Sequence, residues 1–325
     1  GLPFSPGLAA QARKGPGLCP IQRPGWNLVI YRNHKPVFYT LQEFKPEDCS
    51  WDRDGHVWSM GDTTFRRTTT EGKVQVDIDF DCALTGLSDR LEGKLTLTGP
   101  LRVQDISSQD DDLFDHQRQG GHTWEPISMG AAHANLSVKA GTWSVHLSGR
   151  AYHDRNGGKT PLQQQGIRHW NWGRFAFPDR ELVLYLVEGE DGTSEWTWME
   201  VDADGHCSFR TVESVHHDNQ KRSIYGPRWS PSIRIKTQCG VCAHVKQSHP
   251  IDNGPFYLRH FATVEISGVV ANGISELVDP ARVDMAIHRP LVKMRIDSDN
   301  PSMWLPLFQG PSSGRVGRLF QSWFR

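Results

Sequence analysis

The chain has 325 residues, a formal net charge of −1, 37% hydrophobic residues and a negative mean hydropathy. That length suits two domains or one large β fold, and the near-neutral charge supplies no field to draw in nucleic acid. No apolar run reaches membrane-spanning length and no signal peptide is read at the start, so the expectation is a soluble, cytoplasmic protein.

Residues 1–25 are rich in Gly and Pro and read as surface coil. Strands are predicted at 26–31 and 35–44 around a turn at Arg32-Asn33-His34, then at 63–70, 73–80 and 90–98, with a hairpin turn at Asp52-Arg53-Asp54-Gly55. The polar segment 107–121 contains Asp110-Asp111-Asp112. Its spacing does not match a calcium loop and favours a solvated loop. Asn135-Leu136-Ser137 has the form of a glycosylation sequon, but nothing points to secretion. Strands resume at 133–139 and 142–149.

The stretch 149–177 then concentrates a carboxylate, a phenol, guanidiniums, histidines and indoles. Burying such a mixture is costly unless each polar group finds a partner, so this stretch reads as the working centre. It is followed by an apolar run, 182–187, suited to a buried strand, and by strands at 181–188, 195–201, 207–215, 233–236, 241–245, 257–267 and 269–277. Many short strands with almost no helix argue for an all-β protein of barrels or sandwiches, as two halves, 1–180 and 181–325.

The tail departs from this pattern. Val316, Leu319, Phe320, Trp323 and Phe324 fall on one face of a helix. The favoured reading docks that helix on its own barrel; the alternative makes it an interfacial helix in peripheral contact with a membrane. The scattered cysteines read as free thiols, with the C-x-x-C pair Cys239 and Cys242 a minor prospect for zinc or redox use. His216-His217-Asp218 tempts a metal reading, but adjacent histidines on a strand point opposite ways, so a surface loop is preferred and no metal is assigned. No G-x-S-x-G elbow, phosphate loop or dinucleotide fingerprint is present. The 12 Trp suit a pocket for an extended apolar molecule.

At Tyr152-His153-Asp154-Arg155-Asn156 the chain resembles the carotenoid 1,2-hydratases, or hydroxyneurosporene synthases. Phe4-Ser5-Pro6, the segment from His122 to Ile127, Arg168-His169-Trp170-Asn171-Trp172, Gly254-Pro255-Phe256-Tyr257-Leu258-Arg259 and the run from Pro290 to Arg295 resemble further segments of that family, so the likeness spans nearly the whole chain. The resemblance implies two lipocalin-like antiparallel β domains, to which the spacing at 316–324 adds a short C-terminal helix, and a ligand held at or between the domains. It also implies hydration of the terminal double bond of an acyclic carotenoid or related isoprenoid, without a cofactor. The wider superfamily contains cyclases and pericyclases, which keeps cyclisation of a polyene open. A lipocalin-like binder without chemistry is the third reading. The usual His-Asn-Trp-Gly after the family's Asp is replaced by Arg155-Asn156-Gly157-Gly158. An Arg beside Asp154 would lower its proton affinity unless the two side chains point to opposite faces of a strand.

Hydration of such an alkene needs a neutral acid, a surface that stabilises a tertiary cation, and one water. Asp154 is the candidate acid, because an apolar pocket resists its ionisation. Trp124 and Tyr152 are the candidate cation stabilisers through their electron-rich faces. Tyr152 and Asp154, two residues apart, share a face if extended. His153, Trp170, Trp172, Arg174, Phe256 and Tyr257 are candidate substrate-binding residues.

Overall fold

A computed structural model describes residues 24–52, 56–101, 122–158, 162–283, 285–288 and 305–317. The expected loop at 107–121, the motifs at 4–6 and 290–295, and all of the predicted tail helix beyond residues 315–317, which are helical, lie outside the described residues. No helix among the described residues is long and apolar enough to cross a membrane.

The regular structure of the described residues is mostly antiparallel strand, as the short alternating segments predict. They form two compact units, each assembled from separated stretches: Gly1–Gly99 with Ala132–Ala151 and Asp284–Arg325, and Pro100–Ala131 with Tyr152–Val283. The sequence reading had placed one junction near 180. Hydrophobic alternation marks where a strand lies but not which sheet it joins, and here the chain passes between the units more than once.

In the first unit, a seven-stranded sheet runs in the order Trp143–Arg150, His133–Ala140, Arg90–Pro100, Lys73–Ala83, Thr63–Thr70, Val57–Met60 and Cys49–Trp51. A smaller sheet pairs Gly25–Arg32 with Lys35–Glu43. Asn33 and His34 make its turn, both with positive φ, +50° and +62°. Trp26, Phe38, Phe65, Phe80, Leu91 and Val138 are among the buried residues of the core.

The second unit carries the candidate site. Its main sheet runs Cys207–Arg210, Ser194–Asp202, Arg180–Gly189, Ile167–Ala176, Val269–Val278, Tyr257–Ile266, Cys242–Gln247, Ser232–Thr237, Val212–Asp218. The first and last strands of that order are consecutive in the chain, separated only by Thr211, so the sheet curls into a nearly closed barrel. The expected single strand 207–215 is therefore two strands, and His216-His217-Asp218 ends a strand instead of sitting in a loop.

Two faces of this sheet are buried for different reasons. Phe175, Leu182, Leu184, Leu186, Ile233, Ile235, Val245 and Val264 fill the barrel interior. Their strand neighbours Val183, Tyr185, Val187, Met199 and Val201 pack on the outer face, against Trp124, Met129 and Tyr152. Side chains alternate between faces along a strand, so Arg180–Gly189 is buried on both sides and reads as a continuous apolar run. Close approach inside the sheet requires Gly273, where a Cβ would lie 1.9 Å from the Arg174 carbonyl oxygen. A cavity of about 10 Å³, lined by Asn171, Gly173, Phe175, Leu186, Ile233 and Val245, remains in the interior. That is room for one water and not for an extended apolar molecule.

Candidate active site

The site is built where a two-stranded ribbon covers the outer face of the barrel. His153–Gly158 pairs antiparallel with His122–Ser128, and Asp154 stands opposite Pro126, Asn156 opposite Trp124 and Arg155 opposite Glu125. This register puts Asp154 and Trp124 on one face and Arg155 on the other. Arg155 ion-pairs with Glu125 at 2.5 Å, and both are well exposed. The guanidinium feared from the sequence is therefore turned away from the acid.

Asp154 is held by two donors on the same oxygen. The indole Nε1–H of Trp124 donates to Asp154 Oδ2 at 2.8 Å, and the Tyr152 hydroxyl donates to it at 3.0 Å. Trp124 Nε1 also lies 3.2 Å from the Tyr152 oxygen. Desolvation by burial raises the Asp154 pKa above the ordinary aspartate value, the Glu276 carboxylate adds to that, and the hydrogen bonds from Trp124, Tyr152 and Asn156 oppose it. The net effect is a proton held more tightly than on an ordinary aspartate. Trp124 and Tyr152 both engage Oδ2. Burial and the neighbouring Asp154 charge push the Tyr152 phenol well above its ordinary value, so it stays a donor.

The barrel strand beneath supplies the walls. Trp170 and Trp172 stand on its outer face, opposite Val187 and Tyr185, as their spacing predicts. Trp172 packs tilted on Tyr152, with ring centroids 5.4 Å apart. Trp124 stacks on Tyr185 at 5.3 Å, and Trp170 lies 6.2 Å from the same ring. Arg174, on the same face, places its guanidinium 5.4 Å from the Tyr152 ring centroid. Its charge is answered by Glu181 at 2.6 Å, a carboxylate with no solvent exposure that also accepts the Gly130 amide at 3.1 Å.

Tyr257 lies in the row of Trp170, both opposite Val278. Burial raises its phenol pKa, and Arg259 lies 5.4 Å from its ring centroid. Phe256 is buried one residue earlier, outside this row, and His153 sits at the register shift between Tyr152 and Asp154. The structure thus gathers Trp124, Tyr152, Asp154, Trp170, Trp172 and Arg174 in one cluster, with Tyr257 in line beyond it. Sequence reasoning missed Tyr185, Glu181 and the Arg259–Glu276 pair at 2.8 Å. The only sequence signal for them is a charged residue embedded in an apolar strand, as Glu181 is before the run 182–187.

Fold and site together define an all-β, lipocalin-like protein whose half-buried acid lies on the outside of a filled barrel. The chain belongs to the family described as Carotenoid hydratase CrtC, whose profile matches residues 3–303. It is 30% identical to the hydroxyneurosporene dehydrogenase of Chlorobaculum tepidum over 145 residues, 42% of this chain and 37% of that protein. The match thus takes in little more than a third of that relative's length. Among solved structures, a Nitrosomonas europaea protein provisionally described as AttH superposes with a TM-score of 0.50 at 18% identity, covering 77% of each chain. That likeness speaks to the fold. Kievitone hydratase from Nectria haematococca is more distant, with a TM-score of 0.44 at 9% identity over 70% of this chain and 85% of that one.

Proposed function

We propose that this protein hydrates the terminal trisubstituted double bond of an acyclic carotenoid or related isoprenoid, with Asp154 as the acid. The observation that carries the reading is the Asp154 carboxyl: shielded, paired with no guanidinium in the cluster, and held by two neutral donors on one oxygen. Asp154 gives its proton to the less substituted alkene carbon, a tertiary cation forms, and water adds to that cation. The water's second proton returns to the Asp154 carboxylate, so atoms and charge balance.

The rings of Trp124 and Tyr152 were expected to stabilise the cation directly. Their polar atoms are committed to Asp154, one face of Trp124 is stacked on Tyr185, and Tyr152 already faces Arg174. In this reading both act first as positioning residues for the acid. The aromatic cluster they form with Trp172 still offers the developing cation desolvated cation–π contact, worth about 2 kcal/mol. That raises the rate by roughly 30-fold, less than the roughly 100-fold or more expected of a general acid, so proton delivery carries the larger share.

The test is incubation of the full chain with lycopene or neurosporene in detergent, followed by mass analysis. A product heavier by one water supports hydration. An isomer of unchanged mass points to cyclisation, and a product lighter by two hydrogens to the dehydrogenation named for the Chlorobaculum tepidum relative. Asp154→Asn keeps the shape and removes the proton; activity is expected to fall by at least about 100-fold, the low end for loss of a general acid. Full activity in that variant ends the proposal.

A further inference from the structure

We propose that His169, Glu188 and His217 form a binding site for a divalent metal ion of the zinc class at one end of the barrel interior. This site is separate from Asp154 and does not depend on the reaction proposed above. His169 and Glu188 stand directly opposite each other on paired strands. His217 comes from the last strand of the curled sheet, opposite Ile233 of the interior core. Adjacent histidines on a strand face opposite ways; here His216 is exposed, while His217 turns inward and is only 15% exposed. The three side chains therefore meet across the seam where the barrel does not close by continuous pairing.

The geometry is close to that of a ligand set. His169 Nε2 lies 3.5 Å from Glu188 Oε2, and His217 Nε2 lies 3.7 Å from Glu188 Oε1. One donor atom from each of the three residues lies within 4.8 Å of the other two. In a tetrahedral zinc site with bonds of about 2.0–2.1 Å, donor atoms stand roughly 3.4 Å apart. Each Glu188 oxygen faces one imidazole, and a movement of the imidazoles toward a single oxygen brings the three donors to that spacing.

The chemistry fits as well. Two imidazoles and one carboxylate form a ligand set that zinc accepts, leaving a fourth position for water. A neutral imidazole keeps a proton on one ring nitrogen and offers the other to a metal ion, and burial of both histidines favours that form. Without an ion, the histidines answer only part of Glu188, whose other partner is the exposed Arg168 on Oε2. That guanidinium must share or yield the oxygen when an ion binds. An ion held here joins two paired strands to a third across the seam, so its first consequence is to hold the barrel shut.

The experiment uses the full chain stripped with chelator, in a Cys239→Ser/Cys242→Ser background so that the exposed C-x-x-C cannot take the metal. Zinc is titrated by calorimetry, cobalt by its visible absorption, and the melting temperature is followed with zinc concentration. One zinc per chain with a dissociation constant on the order of micromolar or tighter is expected, with a melting temperature that rises with zinc. His217→Ala and Glu188→Gln are each expected to weaken binding by about 100-fold, at the upper end of the effect of one metal-shell contact. Should His217→Ala fail to fold, His217→Asn takes its place. No stoichiometric uptake, or uptake unchanged in these variants, overturns the site.

Discussion

Asp154 shows how one carboxyl can hold its proton more tightly and still be aimed. Burial alone would raise its pKa, but burial alone leaves the group free to rotate. The donors from Trp124 and Tyr152 fix Oδ2 and give back part of the desolvation effect, because they favour the charged form. Replacing Tyr152 by Phe removes one of those donors. The expected result is an Asp154 pKa higher than in the parent protein, together with a rate lower by roughly tenfold from lost positioning, the net worth of one hydrogen bond to such a group. A titration of the variant alongside its kinetics checks both; a pKa that falls would mean Tyr152 does not act on Asp154 as described. The pairing of Tyr152 with Asp154 was legible in the sequence, since alternate residues of an extended chain share a face. The outward direction of Arg155 follows from the same alternation, but its partner Glu125, 30 residues earlier, was not legible, because cross-strand register brings the two together.

At the scale of elements, the site rests on a ribbon lying over one barrel strand and on the ion pair behind it. Arg174 and Glu181 sit on the two arms of a hairpin, with side-chain exposures of 19% and 0%. Removing one partner of such a pair strands the other charge out of water, which costs about 3–5 kcal/mol. Glu181→Gln is therefore expected to lower the urea midpoint by that equivalent, with an unchanged denaturant slope; a change below about 1 kcal/mol would contradict the structural role given to the pair. Gly130 is bound into the same corner. Its φ is +81°, and a Cβ there would lie 2.2 Å from the Asp202 carbonyl oxygen. Strand positions were largely legible from alternation, including Trp170 and Trp172 on a shared face. The short strands Cys49–Trp51 and Val57–Met60 were not, and neither was His122–Ser128, whose Pro126 argues locally against a strand. Tyr185, Glu181 and Glu276 were missed because only cross-strand register brings them to the site.

The whole molecule carries opposing responses to pH. His260 is fully buried, donates its Nδ1–H to the Ser248 carbonyl at 2.8 Å and packs on Trp229. Desolvation lowers its pKa from 6.5 to about 4. Its folded value lies below its unfolded one, so it contributes stability above pH 6.5 that is lost as pH falls through about 4. The full loss is on the order of 3 kcal/mol. His169 and His217 act in the same direction. Asp154 acts in the other: its raised pKa gives stability at low pH that is lost as pH rises through its folded value. Urea unfolding of the parent protein is expected to show a falling midpoint between pH 6.5 and 4, and a shallower fall in His260→Gln; identical slopes in the two proteins would remove His260 from the account.

The central claim is that the fold holds the Asp154 proton more tightly than water does. Carbon-13 NMR titration of the Asp154 carboxyl, assigned by difference from Asp154→Asn, tests it directly. The midpoint is predicted above the ordinary value of 3.8. A midpoint at or below 3.8 would contradict the account.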